Sequence, residues 1–117
     1  MAVDPKYSGR WVVICRDDEP NDELGTKVEL EGGPTVTAFR VAGRYYVIDD
    51  LCTHGSASLS EGYVDGVVIE CPFHGGKFSM ETGEAVAFPC TAPLKVYETM
   101  IEGGNLLAYI PADLRAG

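Results

Sequence analysis

Histidine is nearly absent from this chain: 117 residues contain two, His54 and His74. That leaves room for one histidine-dependent site and no more. Basic residues are also scarce, nine lysines and arginines against eighteen aspartates and glutamates, for a net charge of −9. A nucleic-acid module is excluded on that ground, because phosphate binding needs a basic face. Anionic lipid is disfavoured for the same reason. No apolar run approaches the roughly 18–20 residues that cross a bilayer, so no membrane association is expected. Met1 to Arg10 is polar and lacks an apolar signal core, and the expected location is the cytoplasm of a bacterium. No window of eleven or more residues carries a 3.6-residue apolar period. There is no Gly-rich nucleotide loop, low-complexity tract or linker.

What is present reads as strands and turns. Fourteen glycines, seven prolines and many short β-branched runs predict a small antiparallel β protein. The length suits one domain, 1–117, with a modest core. Thr35 to Val41 and Arg44 to Ile48 are strand-like around Ala42-Gly43, which predicts a two-residue hairpin. Tyr63-Val64 and Val67 to Glu70 flank Asp65-Gly66, a second hairpin. Lys95 to Ile101 and Leu106 to Ile110 flank Glu102-Gly103-Gly104-Asn105, a third. Lys27 to Glu31 reads as a short strand ended by Gly32-Gly33, and Ser56 to Glu61 as a helical turn at most. Trp11, Tyr45, Tyr46, Tyr63 and Tyr97 are expected as core or half-buried strand residues.

Both histidines belong to mixed couplets with cysteine. Cys52-Thr53-His54 is followed, after sixteen residues, by Cys71-Pro72-Phe73-His74. The first couplet follows a strand ending near Ile48 and the second follows Val67 to Glu70, so both sit at strand ends. Disulfides are disfavoured without an export signal, which leaves metal ligation as the better reading of Cys52 and Cys71. Cys15, in the run Trp11 to Cys15, is expected as a buried free thiol, and Cys90 as structural. Two thiolates and two imidazoles suit either zinc or an iron–sulfur cluster of mixed ligation. Zinc sites usually pair cysteine with cysteine and histidine with histidine; here each couplet is mixed, which favours a binuclear centre. Glycines follow both histidines, at Gly55 and at Gly75-Gly76. Such positions let backbone N–H groups approach sulfur closely.

These couplets and their glycines resemble the Rieske [2Fe-2S] signature. The runs Leu51 to Gly62 and Glu70 to Phe78, with Gly83 and the segment Pro89 to Leu94, are similar to the Rieske-type ferredoxins of bacterial aromatic-ring-hydroxylating dioxygenases. The resemblance implies an all-β fold, a Rieske-type antiparallel β sandwich with a small cluster-binding subdomain at about 50–86. It implies one [2Fe-2S] cluster, with Cys52 and Cys71 on the inner iron and His54 and His74 on the outer. It further implies an electron carrier, not an enzyme, in aromatic hydrocarbon catabolism. Electrons would come from an NAD(P)H-dependent flavoprotein reductase and go to a terminal Rieske non-haem iron oxygenase. The carrier is expected to be a monomer. The oxygenase subunits that share this motif need a second iron site with further histidines, which this chain lacks. A Rieske subunit of another redox complex and a zinc-stabilised module are the remaining alternatives.

Departures from the respiratory Rieske pattern are informative. Those proteins add a disulfide between the cluster loops, where this chain has Ala57 and Phe73. They also aim a serine and a tyrosine hydroxyl at cluster sulfur, where this chain has Gly76 and Phe78. Donors to sulfur favour the reduced, more negative state. Their loss implies a potential near the low end of the Rieske range, about −150 mV. Phe73 and Phe78 are expected to cover the cluster loops and exclude water. Glu61, Asp65 and Glu70 stand near those loops and are candidates for a docking field.

Overall fold

Alternation along one hairpin organises the molecule. Strands β3 (Thr35–Val41) and β4 (Arg44–Asp49) pair antiparallel, Val36 opposite Asp49 and Val41 opposite Arg44. Successive side chains on a strand point to opposite faces. Val36, Ala38 and Val47 therefore enter one core, while Phe39, Tyr46 and Ile48 enter another. A hairpin buried on both faces reads as a continuous apolar run, which is why Val36 to Phe39 is buried throughout. Thr37 falls on the same face as Phe39 and is fully buried among these apolar neighbours.

In the computed structural model, residues 8–53, 57–73, 75–88 and 90–112 are described. They form three antiparallel sheets. The central one has the order β2-β3-β4-β9, adding β2 (Thr26–Glu29) and β9 (Val96–Tyr97) to the hairpin. On one face lies a three-stranded sheet, β1-β11-β10, built from Arg10–Arg16, Asn105–Ile110 and Thr99–Glu102. Ile14, Leu106, Ala108 and Ile110 from this sheet close the second core against Val36, Ala38, Val47 and Tyr97. On the other face lies a four-stranded meander, β5 (Tyr63–Asp65), β6 (Val68–Glu70), β7 (Lys77–Ser79) and β8 (Ala85–Ala87). Ile69, Phe78 and Met80 from the meander, with Leu59 and Leu94, fill the first core.

The three expected hairpins form, with two adjustments. Asp65 pairs with Val68, so the second hairpin turns on Gly66–Val67, one residue later than the Asp65-Gly66 pair suggests. Gly66 has φ +60° and takes the first loop position, where a type II′ turn needs glycine. The run Lys95 to Ile101 divides at Glu98: Val96–Tyr97 pairs with β4 and Thr99–Glu102 with β11. One apolar run thus links two sheets. Strands β7 and β8 were not legible: they are as short as β5 and β6 but have no Asp-Gly or Asn-Gly turn between them to mark a hairpin. The helical turn is a single 3₁₀ turn at Leu59–Glu61.

Cys15 is only half-buried, contrary to expectation. Val13 pairs with Leu107 and Cys15 with Leu106, so a bulge makes Ile14 the extra, inward residue of β1. Burial still pushes the Cys15 thiol up to about 11, with Glu19 and Asp18 adding in the same direction. Tyr46 and Tyr97 are buried as expected, whereas Trp11 and Tyr63 are exposed, both on edge strands. Trp11 rests edge-on against Tyr109, ring centroids 5.7 Å apart.

Val41 and Arg44 are paired across Ala42-Gly43, and Ala42 has φ +52°. A side chain in that region costs about 1–2 kcal/mol. Asparagine tolerates it and, before glycine, suits a type I′ turn. Ala42 is exposed, so Ala42→Asn is expected to stabilise the fold by about 1 kcal/mol. In urea the midpoint should rise with an unchanged slope; an unchanged or lower midpoint would contradict this turn assignment.

Candidate metal centre

Two fingers project from the end of the first core. Strand β4 runs out at Asp49, and the chain turns back so that Leu51 forms a bridge with Ser58. The amide of Cys52 donates to the carbonyl of Ala57 at 3.0 Å, closing the first finger. Strand β6 runs out at Glu70, and the amide of Cys71 donates to the carbonyl of Gly76 at 2.7 Å, closing the second. In each finger the cysteine amide reaches the residue five positions on. Both thiols lie at the finger base, buried in the first core above Leu59, Ile69 and Phe78. Burial of the thiols follows from alternation: Leu51 points outward at 61% exposure, and Cys52 next to it points in. His54 and His74 lie outside the described residues; Thr53 precedes the first, and Phe73 and Gly75 flank the second in sequence.

The carboxylate of Asp50 secures the first finger. It is buried, and its Oδ2 accepts from Ser58 Oγ at 2.6 Å while its Oδ1 accepts from the Ser60 amide at 3.0 Å. Ser58 Oγ also lies 2.8 Å from Ser60 Oγ. Lys27 Nζ stands 3.6 Å from Oδ2, with its side chain about half in water. Asp50 thus ties both ends of the finger to one side chain. The second finger has Glu70 opposite Lys77 at 3.9 Å, an exposed pair of little energetic weight.

A third loop completes the base. Cys90, buried, lies with its Sγ 3.8 Å from Cys52 Sγ. Thr53 Oγ1 donates to the carbonyl of Ala92 at 2.9 Å, and the Leu94 amide donates to the carbonyl of Gly83 at 2.7 Å. The Pro89 to Leu94 segment therefore packs against the first finger, with Pro89 itself outside the described residues. Burial pushes the Cys90 thiol up to about 12, helped by its hydrogen bond to Cys52 and by the charges of Cys52 and Cys71. Cys90 is structural in the sense of being buried, as expected, but its contact with Cys52 was not foreseen. No second ligand type stands near it in sequence, and only the glycine at 76 hints at a neighbour needing space. A Cβ on Gly76 would lie 2.2 Å from Cys90 Sγ.

Residues 10–98 match the family described as Rieske [2Fe-2S] domain. The chain belongs to that family. It is 42% identical over 96 residues to Ferredoxin CarAc of Metapseudomonas resinovorans, which covers 82% of this chain and 90% of the relative. The Sphingomonas yanoikuyae B1 ferredoxin superposes with a TM-score of 0.83 at 42% identity, over 87% of this chain and all of that one. A chain from the complex of reduced oxygenase and oxidized ferredoxin in carbazole 1,9a-dioxygenase superposes with a TM-score of 0.82 at 38% identity, over 92% of this chain and 99% of that one. The Rieske-type antiparallel fold expected from the couplets is the fold observed. A Rieske-type [2Fe-2S] cluster is the family's cofactor, and its relatives here are electron-carrying ferredoxins, not enzymes.

The described half of the site fits such a cluster. Two buried thiols at the finger bases would offer soft ligands away from water. Gly76 carries no side chain there, and the Cys90 side chain takes the space its Cβ would fill. Phe78 is fully buried beneath the fingers, as expected of a cover. Phe73, expected as a second cover, is 67% exposed. Leu51 and Phe88 are likewise exposed, Phe88 at 85%, so each of the three cysteine loops shows one large apolar residue outward.

Asp50 gives a direct test of the finger geometry. Asp50→Ala leaves the Ser60 amide and Ser58 hydroxyl without their acceptor, and is expected to destabilise the protein by about 2–4 kcal/mol. Lys27→Ala, removing a half-exposed partner, should cost less than about 1 kcal/mol. Urea unfolding of the two variants checks this; comparable small losses from both would contradict the anchoring role of Asp50.

Proposed function

We propose that Cys52, His54, Cys71 and His74 together hold one [2Fe-2S] cluster, cysteines on the inner iron and histidines on the outer. The chain then carries single electrons from an NAD(P)H-dependent flavoprotein reductase to a terminal Rieske non-haem iron oxygenase that hydroxylates an aromatic ring. It does so as a monomeric domain, 1–117, in the bacterial cytoplasm. The observation that carries this reading is the pair of buried cysteines at the bases of two fingers closed by the same backbone hydrogen bond. A single zinc usually takes two cysteines from one couplet and two histidines from the other, whereas here each couplet is mixed.

A bound Rieske cluster supplies reversible one-electron storage. The chain's own residues do the rest. Cys52 and Cys71 anchor from the core side, and the buried Phe78, Leu59 and Ile69 exclude water behind them. Leu51, Phe73 and Phe88, one on each cysteine loop, are exposed and are apolar side chains suited to brief contact with more than one partner. The complex of reduced oxygenase and oxidized ferredoxin in carbazole 1,9a-dioxygenase supports the second half of the route. The eighteen acidic residues support steering toward basic docking faces.

The test is reconstitution with a flavoprotein reductase and a terminal Rieske oxygenase, scored as NADH-driven hydroxylated product. Product formation should require this chain and slow as ionic strength rises. Phe73→Asp should lower delivery to the oxygenase by about tenfold or more while leaving the visible spectrum of the carrier intact. No product with a reducible carrier, or full delivery by the Phe73→Asp variant, would contradict the route or the docking tip respectively.

A further inference from the structure

We propose that the Cys90 thiol donates a hydrogen bond to the sulfur of Cys52 and so tunes the electron affinity of the centre. The inference rests on the reading of Cys52 as a thiolate ligand. It starts from a contact: Cys90 Sγ lies 3.8 Å from Cys52 Sγ, within reach of a sulfur hydrogen bond, with both residues buried. A cysteine that ligates iron is deprotonated and can only accept. Cys90 must then be the donor. An ordinary thiol keeps its proton at neutral pH, and removal from water favours the neutral form further.

Gly76 makes this arrangement possible. Its missing side chain is where Cys90 sits: a Cβ at 76 would meet Cys90 Sγ at 2.2 Å and the Cys90 Cβ and amide nitrogen at 3.0 Å. Any larger residue at 76 and a cysteine at 90 compete for one space. The glycine at 76, which on its own reads as a lost hydroxyl donor, is therefore the partner of a different donor reaching in from the third loop. The Cys90 amide donates to the Ala87 carbonyl at 3.2 Å, and Thr53 Oγ1 ties the first finger to Ala92 at 2.9 Å. These bonds hold the third loop against the finger that bears Cys52.

A donor to the ligating sulfur stabilises negative charge there, and the reduced state carries more of it. Cys90 therefore makes reduction easier. Sulfur is a weak donor, so the effect is small and sets the value within the low range instead of lifting the chain out of it. Cys90 is a tuning residue that acts through Cys52.

The experiment is a redox titration of the holoprotein and of Cys90→Ala and Cys90→Ser. Cys90→Ala should weaken reduction by about threefold, which at about 59 mV per tenfold for one electron is roughly 28 mV downward. Cys90→Ser, which keeps a donor, should recover the parent value or exceed it. An unchanged midpoint in a fully loaded Cys90→Ala variant overturns the proposal and leaves the ligand assignment standing. A parent preparation without iron or acid-labile sulfide overturns both. A second measurement does not need residue 90 altered. In a Cys15→Ala background Cys90 is the only thiol besides the proposed ligands, and its infrared S–H stretch should move to lower frequency when the centre is reduced. A band that stays put overturns the proposal.

Discussion

Two backbone hydrogen bonds carry this structure's function. Cys52 N–H to Ala57 and Cys71 N–H to Gly76 each close a finger at its base. They fix where each cysteine leaves the strand and turn both thiols toward the core. Everything else at the site is support for that pair. Asp50 pins the first finger to the 3₁₀ turn at Leu59–Glu61. The β5–β8 meander presents the second finger from the end of β6. The third loop wedges Cys90 against Cys52. The same core residues that stabilise the fold, Phe39, Ile48, Leu59, Ile69 and Phe78, form the floor of the site. Fold stability and site geometry are therefore one energetic problem, as expected where a cofactor is held between loops whose only rigid neighbours are strands.

Charge and polarity are divided along the same line. Around the fingers, burial removes water from the thiols and keeps Cys90 protonated. Further from the site, burial also raises the Asp49 carboxyl, opposed by its hydrogen bond from the Tyr97 hydroxyl and by Lys95. At the loop ends the polarity reverses, with Leu51, Phe73 and Phe88 apolar and outward. A carrier that must exchange partners needs a surface that is attractive but small. On the proposed role, a body of net charge −9 would guide approach at long range, and the exposed apolar side chains would decide contact.

The couplets stood out because the chemistry proposed for them demands particular residues at particular spacings, and Cys52 and Cys71 do follow the ends of β4 and β6. Strands β2, β3 and β4 of the central sheet were legible because each is long enough to show its pattern. What was not legible came from contacts between distant segments. Strands β7 and β8 have no Asp-Gly or Asn-Gly turn between them to mark the hairpin, as β5 and β6 have. The run Lys95 to Ile101 gave no sign that it splits between two sheets. Cys15 looked buried because a bulge in β1 cannot be seen from one strand alone. The anchoring role of Asp50 gave no signal, since its partners Ser58 and Ser60 are common turn residues. Gly76 read as an absence, whereas its consequence is a neighbour, Cys90, that fills the space.

The central claim is that one centre takes its nitrogen from both histidines. With only His54 and His74 in the chain, labelling histidine with heavy nitrogen marks these two side chains and no others. Electron–nuclear double resonance on the reduced protein should then show two distinct, strongly coupled labelled nitrogens. A single coupled nitrogen, or none, would contradict the account.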